Sequence, residues 1–272
     1  MTIELDQTAA PEDSVLTFFG EQLAAYRKKA GWSQERTARE ARSTQSMISK
    51  VEKARLIASD VLAADLDRAF GTDGYFTRLH ALVLRYAYPR WFLPYIELER
   101  DAVSIRSFEG QVVPGLLQTE EYAHAMLDAV RPENLAELVA VRMSRQEIFA
   151  REPLPHTWFI IDEFALMRHI GGPDVVRRQL RHLLEAGQHP RTVIQVIPRT
   201  VPARPALAGP FTLLTPEEGE TVVYIDGYPQ GRLSPDTGEV TAAAHAYDLL
   251  RAVALSPQQS AELIDTHVRE LP

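Results

Sequence analysis

The sequence predicts an all-α N-terminal domain of four or five short helices, followed by an α+β C-terminal domain with a small mixed sheet. Three observations carry that expectation. From Ser14 to Phe70, apolar residues recur at helical spacing between residues that cap and stop helices. From His156 the period changes, and short apolar runs such as TWFII and TVIQVI alternate with helical stretches. The 272 residues, 45% of them hydrophobic, are enough for one small domain plus one ordinary one with a real core.

Residues 1–13 read as a flexible lead. They are acidic and lack a basic region followed by an apolar run, so they do not read as a signal peptide. Ser14 or Asp13 can cap a first helix from about Val15 to Ala30, with Val15, Phe18, Phe19, Leu23 and Tyr26 as its apolar stripe and Gly31 as its stop. Ser33 can cap a short second helix whose inward positions are Thr37, Ala38 and Ala41. Thr44 can cap a third, with Met47, Ile48 and Val51 inward. About three residues separate these two helices, too few for an antiparallel return, so they should cross steeply as a helix-turn-helix. A fourth helix follows from Asp60 to Phe70, placing Val61, Leu62, Leu66 and Phe70 in the same core, with Gly71 ending it.

The third helix presents Gln45, Ser46, Ser49, Lys50 and Lys53 along one face, a set able to bond base edges and phosphates. Overall charge is −8, which argues against nonspecific coating of nucleic acid, but the charge is unevenly spread. Between Glu21 and Ala58, nine basic residues (Arg27, Lys28, Lys29, Arg36, Arg39, Arg42, Lys50, Lys53, Arg55) face four acids (Glu21, Glu35, Glu40, Glu52). A basic module on an acidic body suits local docking on DNA. Since only Lys50 and Lys53 on the reading helix are basic, much of the phosphate affinity must come from Lys28, Lys29, Arg36, Arg39 and Arg42.

Gln34, Ala38, Gln45, Ser46, Ile48 and Val51 resemble the signature of the repressor-type helix-turn-helix family, the one named after phage repressors and xenobiotic response element regulators. That resemblance implies that Gln34 and Lys53 touch the DNA backbone while Gln45, Ser46 and Ser49, with Lys50, face base edges. Arg42 departs from the family pattern by standing at the usual turn glycine. If the left-handed geometry is kept there, it costs about 1 kcal/mol.

Residues 72–95 read as a linking helical segment, its aromatic stripe (Tyr75, Phe76, Leu79, Leu82, Val83, Tyr86) serving to pack on the second domain, as a dimer seam or as an aromatic ligand shelf. Residues 96–272 form the expected C-terminal domain. Glu97 to Ser107 looks extended; Pro114 and Gly115 make a turn from which a helix runs on through Met126; and a long helix is expected from Pro132 to Arg151. Thr157–Ile161 and Thr192–Ile197 read as strands either side of a helix that starts at Pro173, an order that permits a parallel pair. Val201 to Pro210 should be an extended loop, and Phe211–Leu214 with Thr221–Ile225 an antiparallel pair. Helices close the chain at Glu239–Val253 and Pro257–Arg269, the last introduced by Ser256 and Gln259 in capping-box spacing.

A second resemblance rests on this half. Ser104-Ile105-Arg106, Val113-Pro114-Gly115-Leu116-Leu117-Gln118-Thr119, Arg145-Gln146, Asp162-Glu163, Gly171-Gly172-Pro173, Val196-Ile197-Pro198 and Ala208-Gly209-Pro210-Phe211 are similar to an actinobacterial family that joins a repressor-type reader to a C-terminal domain of uncharacterised function. Its members are developmental and antibiotic-production regulators, similar to the sporulation regulator WhiJ and to antitoxin-like regulators. The resemblance implies transcriptional regulation, often beside a gene for a small protein that the C-terminal domain binds.

No constellation supports catalysis, a metal or a cofactor. Cysteine is absent, which removes thiol nucleophiles and cysteine-held metals and makes a reducing cytoplasm the expected compartment. The eight histidines form no His-x-x-x-His pair. Glu121 and His124 could share a metal but read more plainly as a solvated helix pair, and Asp162 with Glu163 read as carboxylates at a helix start. Arg142, Arg145 and Arg151 could meet an anion or a carboxylate, or simply end a solvated helix. No apolar run is long enough for a membrane span. The leading expectation is a homodimeric repressor that binds a double-stranded DNA operator and whose C-terminal domain takes a small protein, from a neighbouring gene, or a ligand. The alternative is an antitoxin-like module whose main role is to hold that partner, and an enzyme carrying a DNA domain is a third.

Overall fold

The computed structural model describes residues 14–88, 91–202, 209–228 and 230–272. The expected N-terminal lead and the middle of the expected loop from Val201 to Pro210 lie outside them. The described chain is an N-terminal all-α region followed by an α+β region, and it divides into two compact units. One holds residues up to 88 together with Leu127–Ser144; the other holds 91–126 and 145–272.

In the helical unit, α1 (Val15–Lys29) starts at Ser14, whose hydroxyl accepts the Thr17 N–H at 3.0 Å, and stops before Gly31 at φ +67°. Its buried face is Leu16, Phe19, Gly20 and Leu23, the i, i+3, i+4, i+7 set. Phe18, expected in this stripe, lies one helical step off it and is 46% exposed, while Val15 is only half-buried. The next helices are α2 (Gln34–Glu40), α3 (Gln45–Glu52) and α4 (Asp60–Phe70). Leu62, Ala63 and Leu66 of α4 are buried, but Val61, also expected inside, faces out at 65% exposure.

The expected linking segment 72–95 divides between the units. Its first part is α5 (Tyr75–Ala87), which packs on α1 and α4. Phe76 is fully buried among Phe19, Tyr26 and Phe70, with ring centroids 5.4–6.0 Å apart. Gly74 offers α5 no capping side chain, and Asp67 of α4 does the work from outside. Its carboxylate accepts the N–H groups of Phe76 (2.8 Å) and Thr77 (2.9 Å) and the hydroxyls of Thr72 (2.5 Å) and Thr77 (2.7 Å).

The second unit opens with α6 (Leu93–Asp101) where an extended segment was expected from Glu97. Pro94 suits a first turn, and the Tyr95 hydroxyl donates to Glu99 one turn on, at 2.6 Å. Strand β1 (Ala102–Glu109) follows, then a 3-10 turn (Gly115–Leu117) and α7 (Glu120–Asp128), so the helix expected from Leu116 begins only after Thr119, whose hydroxyl accepts the Tyr122 N–H. Helix α8 (Leu135–Ser144) belongs to the helical unit. The long helix expected from Pro132 to Arg151 ends there and continues as a 3-10 turn, Arg145–Ala150.

The remaining elements are β2 (His156–Asp162), α9 (Glu163–Leu166), α10 (Pro173–Ala186), β3 (Thr192–Ile197), β4 (Phe211–Pro216), β5 (Val222–Ile225), β6 (Arg232–Ser234), α11 (Thr237–Val253) and α12 (Pro257–Glu270). Among the described residues they form one six-stranded sheet in the order β3-β2-β1-β4-β5-β6. β1, β2 and β3 are parallel, with Ile105 opposite Thr157 and Phe159 opposite Ile194; the remaining pairings are antiparallel. Alternation sends Ile105, Phe159, Ile161, Val196 and Leu214 to one core and Phe108, Ile160, Ile197, Leu213 and Val223 to another, where Tyr247 and Leu250 of α11 cover them. Ser256 and Gln259 form the expected capping box at α12.

Burial opposes ionisation of Asp67, but the hydroxyls of Thr72 and Thr77 and the N–H groups of Phe76 and Thr77 outweigh it and hold the carboxyl below its usual range. Asp67→Asn turns part of this acceptor into a donor, so thermal unfolding at neutral pH should show a loss of about 2 kcal/mol. Because the folded-state pKa is the lower one, that advantage is complete above the unfolded-state value and disappears as pH falls through the folded-state value. The gap between the native chain and the variant should close in the same acid range.

Candidate nucleic-acid interface

The α2–α3 pair is built from short-range rules. Ser33 caps α2, its hydroxyl accepting the Arg36 N–H at 3.2 Å, and Thr44 caps α3, accepting the Met47 N–H at 3.1 Å. Between them Arg42 takes φ +49°, the left-handed conformation anticipated for the usual glycine position, and the Ser43 N–H returns to the Ala38 carbonyl at 2.8 Å. Thr37, Ala38 and Ala41 are buried toward Ile48 and Val51, and small side chains on α2 let the two short helices approach.

From behind, α1 touches the end of α3 so closely that a Cβ on Gly20 would lie 2.7 Å from the Val51 carbonyl oxygen and 2.8 Å from that of Glu52. Beside this contact runs a chain of polar bonds that spacing alone does not show. Arg27 of α1 grips Glu52 with Nε at 2.5 Å and Nη2 at 3.0 Å, and its Nη1 donates to the Trp32 carbonyl at 3.2 Å. Glu52 also accepts Gln34 Nε2 at 2.8 Å, and Gln34 Oε1 accepts Gln45 Nε2 at 3.2 Å. Three helices are thereby tied to the first residue of α3. The Glu52 hydrogen bonds, offset by burial, hold the Arg27 guanidinium even more firmly protonated than usual.

Gln45, Ser46 and Lys50 lie exposed along α3, with Ser49 half-buried between them; Lys53 is exposed at the C-terminal cap. Arg36 and Arg39 are exposed on α2, and Arg36 lies over the Trp32 ring at 5.0 Å, which in turn stacks on Phe70 at 5.1 Å. Gln34, expected to face the DNA backbone, is half-buried and spends its amide oxygen and one N–H inside the unit. The signal for its partners was the presence of Glu52 and Gln45 on the following helix, but the crossing angle that joins them is not a sequence period.

In the second unit the candidate groups are engaged internally. Arg145 forms a buried two-pronged pair with Glu99 at 2.8 and 2.6 Å, so the carboxylate it meets is the chain's own. Asp162 caps α9 through the Phe164 N–H at 2.9 Å, and Glu163 accepts the Arg199 N–H at 2.7 Å and sits 3.1 Å from His267 Nε2. Glu121 lies 3.9 Å from Arg178. Among the described residues no group of three His, Asp or Glu side chains is placed to hold a metal ion, and no helix is long and apolar enough to cross a membrane.

Comparison with known families gives two matches. The model of a helix-turn-helix domain covers residues 19–75, and that of a domain of unknown function, DUF5753, covers residues 92–266. No curated protein and no solved structure matches. The pairing of a helix-turn-helix domain with this domain is that of a regulator.

The close approach at Gly20 carries a test. Gly20→Ala should destabilise the helical unit by about 1–3 kcal/mol, because the atoms the new methyl would meet are backbone carbonyls that cannot swing aside. Denaturant titration measures the loss; a neutral result would show that α1 and α3 can separate freely.

Proposed function

We propose that this chain, which belongs to the DUF5753 family and carries a helix-turn-helix domain ahead of that domain, is a sequence-specific transcriptional regulator that reads double-stranded DNA with α3. It acts as a homodimeric repressor in the cytoplasm, and its C-terminal domain binds a small protein or ligand that shifts operator affinity.

The Gln34–Gln45 bond is the observation that carries this reading. It uses one of the two amide hydrogens of Gln45. The amide oxygen and the second hydrogen then form an oriented acceptor and donor pair, which matches N6 and N7 of adenine in the major groove. A glutamine held in this way arrives at DNA with less rotamer freedom to lose. Ser46, Ser49 and Lys50 extend the reading face, while Arg36, Arg39, Lys53 and the remaining N–H of Gln34 serve the phosphates. One helix reads only a few base pairs, so a dimer on half-sites about 34 Å apart supplies the rest of the discrimination.

A second reading, an antitoxin-like protein that mainly holds a small partner protein, is favoured by the sparse charge of α3. Lys50 is its only basic residue from Gln45 to Glu52.

Titration with the DNA upstream of its own gene, against scrambled DNA at near-physiological salt, separates the two. Gln45→Ala should remove about 1–3 kcal/mol of discrimination at one base position. Lys53→Ala should weaken every sequence alike and reduce the salt slope by about one. Equal, weak binding to both DNAs, unchanged by Gln45→Ala, would instead support partner-holding.

A further inference from the structure

On the sheet face that α11 covers, burial falls off row by row. Phe108 of β1, Ile160 of β2 and Gln195 of β3 stand in register and are buried. The next row toward the starts of these parallel strands is Arg106, Trp158 and Val193, and all three are half-buried. In the row beyond, His156 is exposed. Neighbouring strands lie about 4.8 Å apart, so the middle row is a shelf about 10 Å long that carries a cation, an aromatic ring and an aliphatic side chain in that order. On its other side Arg106 stands opposite Leu213 of β4, which is fully buried.

Arg106 thus places a charge in an interior strand between two apolar neighbours. Among the described residues its guanidinium makes no hydrogen bond and no ion pair, and it lies over the Tyr247 ring, 5.8 Å from the centroid. A ring face offsets part of the cost of drying a guanidinium but leaves its planar fork of donors open. One turn on along α11, Arg251 lies over Trp158 at 5.0 Å, with Asp248 3.5 Å away as its counter-charge. Both rings are fixed: the Tyr247 hydroxyl donates to the Trp158 carbonyl at 2.7 Å, and Trp158 Nε1 donates to Gln195 at 2.8 Å. Burial raises the pKa of the Tyr247 hydroxyl, and both guanidiniums are close enough to oppose that rise. With Arg251 matched by Asp248, the cluster keeps one unmatched positive charge, on Arg106.

We propose that this shelf binds a small organic acid, whose carboxylate is taken by the open fork of Arg106 beside Arg251 and whose flat apolar body lies along Trp158 and Val193. The planar guanidinium matches a carboxylate with two parallel hydrogen bonds. One carboxylate balances the one unmatched charge, whereas a doubly charged phosphate exceeds it. Half-burial strengthens such a pair relative to one on an open surface, because less water screens it. The proposal names the ligand class of the C-terminal domain; an effect on operator affinity rests on the regulatory reading above, and the binding itself does not.

The test uses the full chain without DNA and follows the side-chain N–H resonances of Arg106 and Trp158 by proton–nitrogen NMR as benzoate, its neutral isostere benzamide, or acetate is added. Benzoate should shift both resonances saturably, with a dissociation constant of about 1 mM or tighter. Benzamide, lacking the charge, and acetate, lacking the ring, should each bind about tenfold more weakly or worse. Arg106→Met should abolish benzoate binding, and Arg106→Lys, which keeps the charge but loses the fork, should weaken it by about tenfold. The backbone resonances of each variant report its folding, and if Arg106→Met does not fold, Arg106→Lys carries the test. No saturable shift with benzoate in large excess, or benzamide binding as tightly as benzoate, overturns the proposal and leaves Arg106 a packing residue. The DNA titration is then repeated with saturating benzoate, and a change in specific operator affinity supports both readings. Benzoate binding in a protein without specific DNA affinity would support the shelf and defeat the regulatory reading; specific DNA binding in a protein that takes no benzoate would do the reverse.

Discussion

The Glu52 carboxylate is where the three helices of the reader converge. Arg27 reaches it from α1 and Gln34 from α2, while Glu52 itself ends α3, so the relative angles of all three are written into one partly buried set of hydrogen bonds. Leaving one ion of a fully buried pair without the other costs about 3–5 kcal/mol, and this partly solvated pair costs less. Its effect is to penalise every other crossing of α2 and α3. The domain has few large side chains between these helices, and the small contacts of Ala38, Ala41 and Gly20 allow the close approach on which the polar chain depends.

The same logic recurs at Asp67 and Glu99. At Asp67 a buried carboxylate ties α4 to the start of the next helix, α5, and at Glu99 another joins α6 to the residue after α8. Apolar burial drives these helices together without specifying direction. The carboxylates supply the direction, each within its own unit.

Much of the fold was legible because its signals are local. Ser14, Ser33 and Thr44 cap helices where they stand, Gly71 stops α4 at φ +65°, and β3 occupies Thr192–Ile197 as its apolar run indicates. The failures share a long-range cause. The alternation of Val103 and Ile105 with Ser104 and Arg106 marks β1, but the extended reading from Glu97 fails at Glu99, which is held in a helix by Tyr95 and by Arg145, 46 positions away. Three residues of β6 are too few to show a period. Nothing in the composition of α8 reveals that it packs on α5. At the candidate interface the exposed polar stripe of α3 follows from a 3.6-residue period, whereas the Gln34–Gln45 bond depends on how two helices cross.

The most direct measurement of the central claim is the amide chemical-shift map of the full chain with and without a duplex from its own upstream region. The account predicts the largest changes between Ser33 and Arg55, centred on the first turn of α3, and a weaker response in Glu52→Gln, where the brace is altered and the reading face is not. Changes confined to residues 92–266, or none with the duplex in excess, would contradict it.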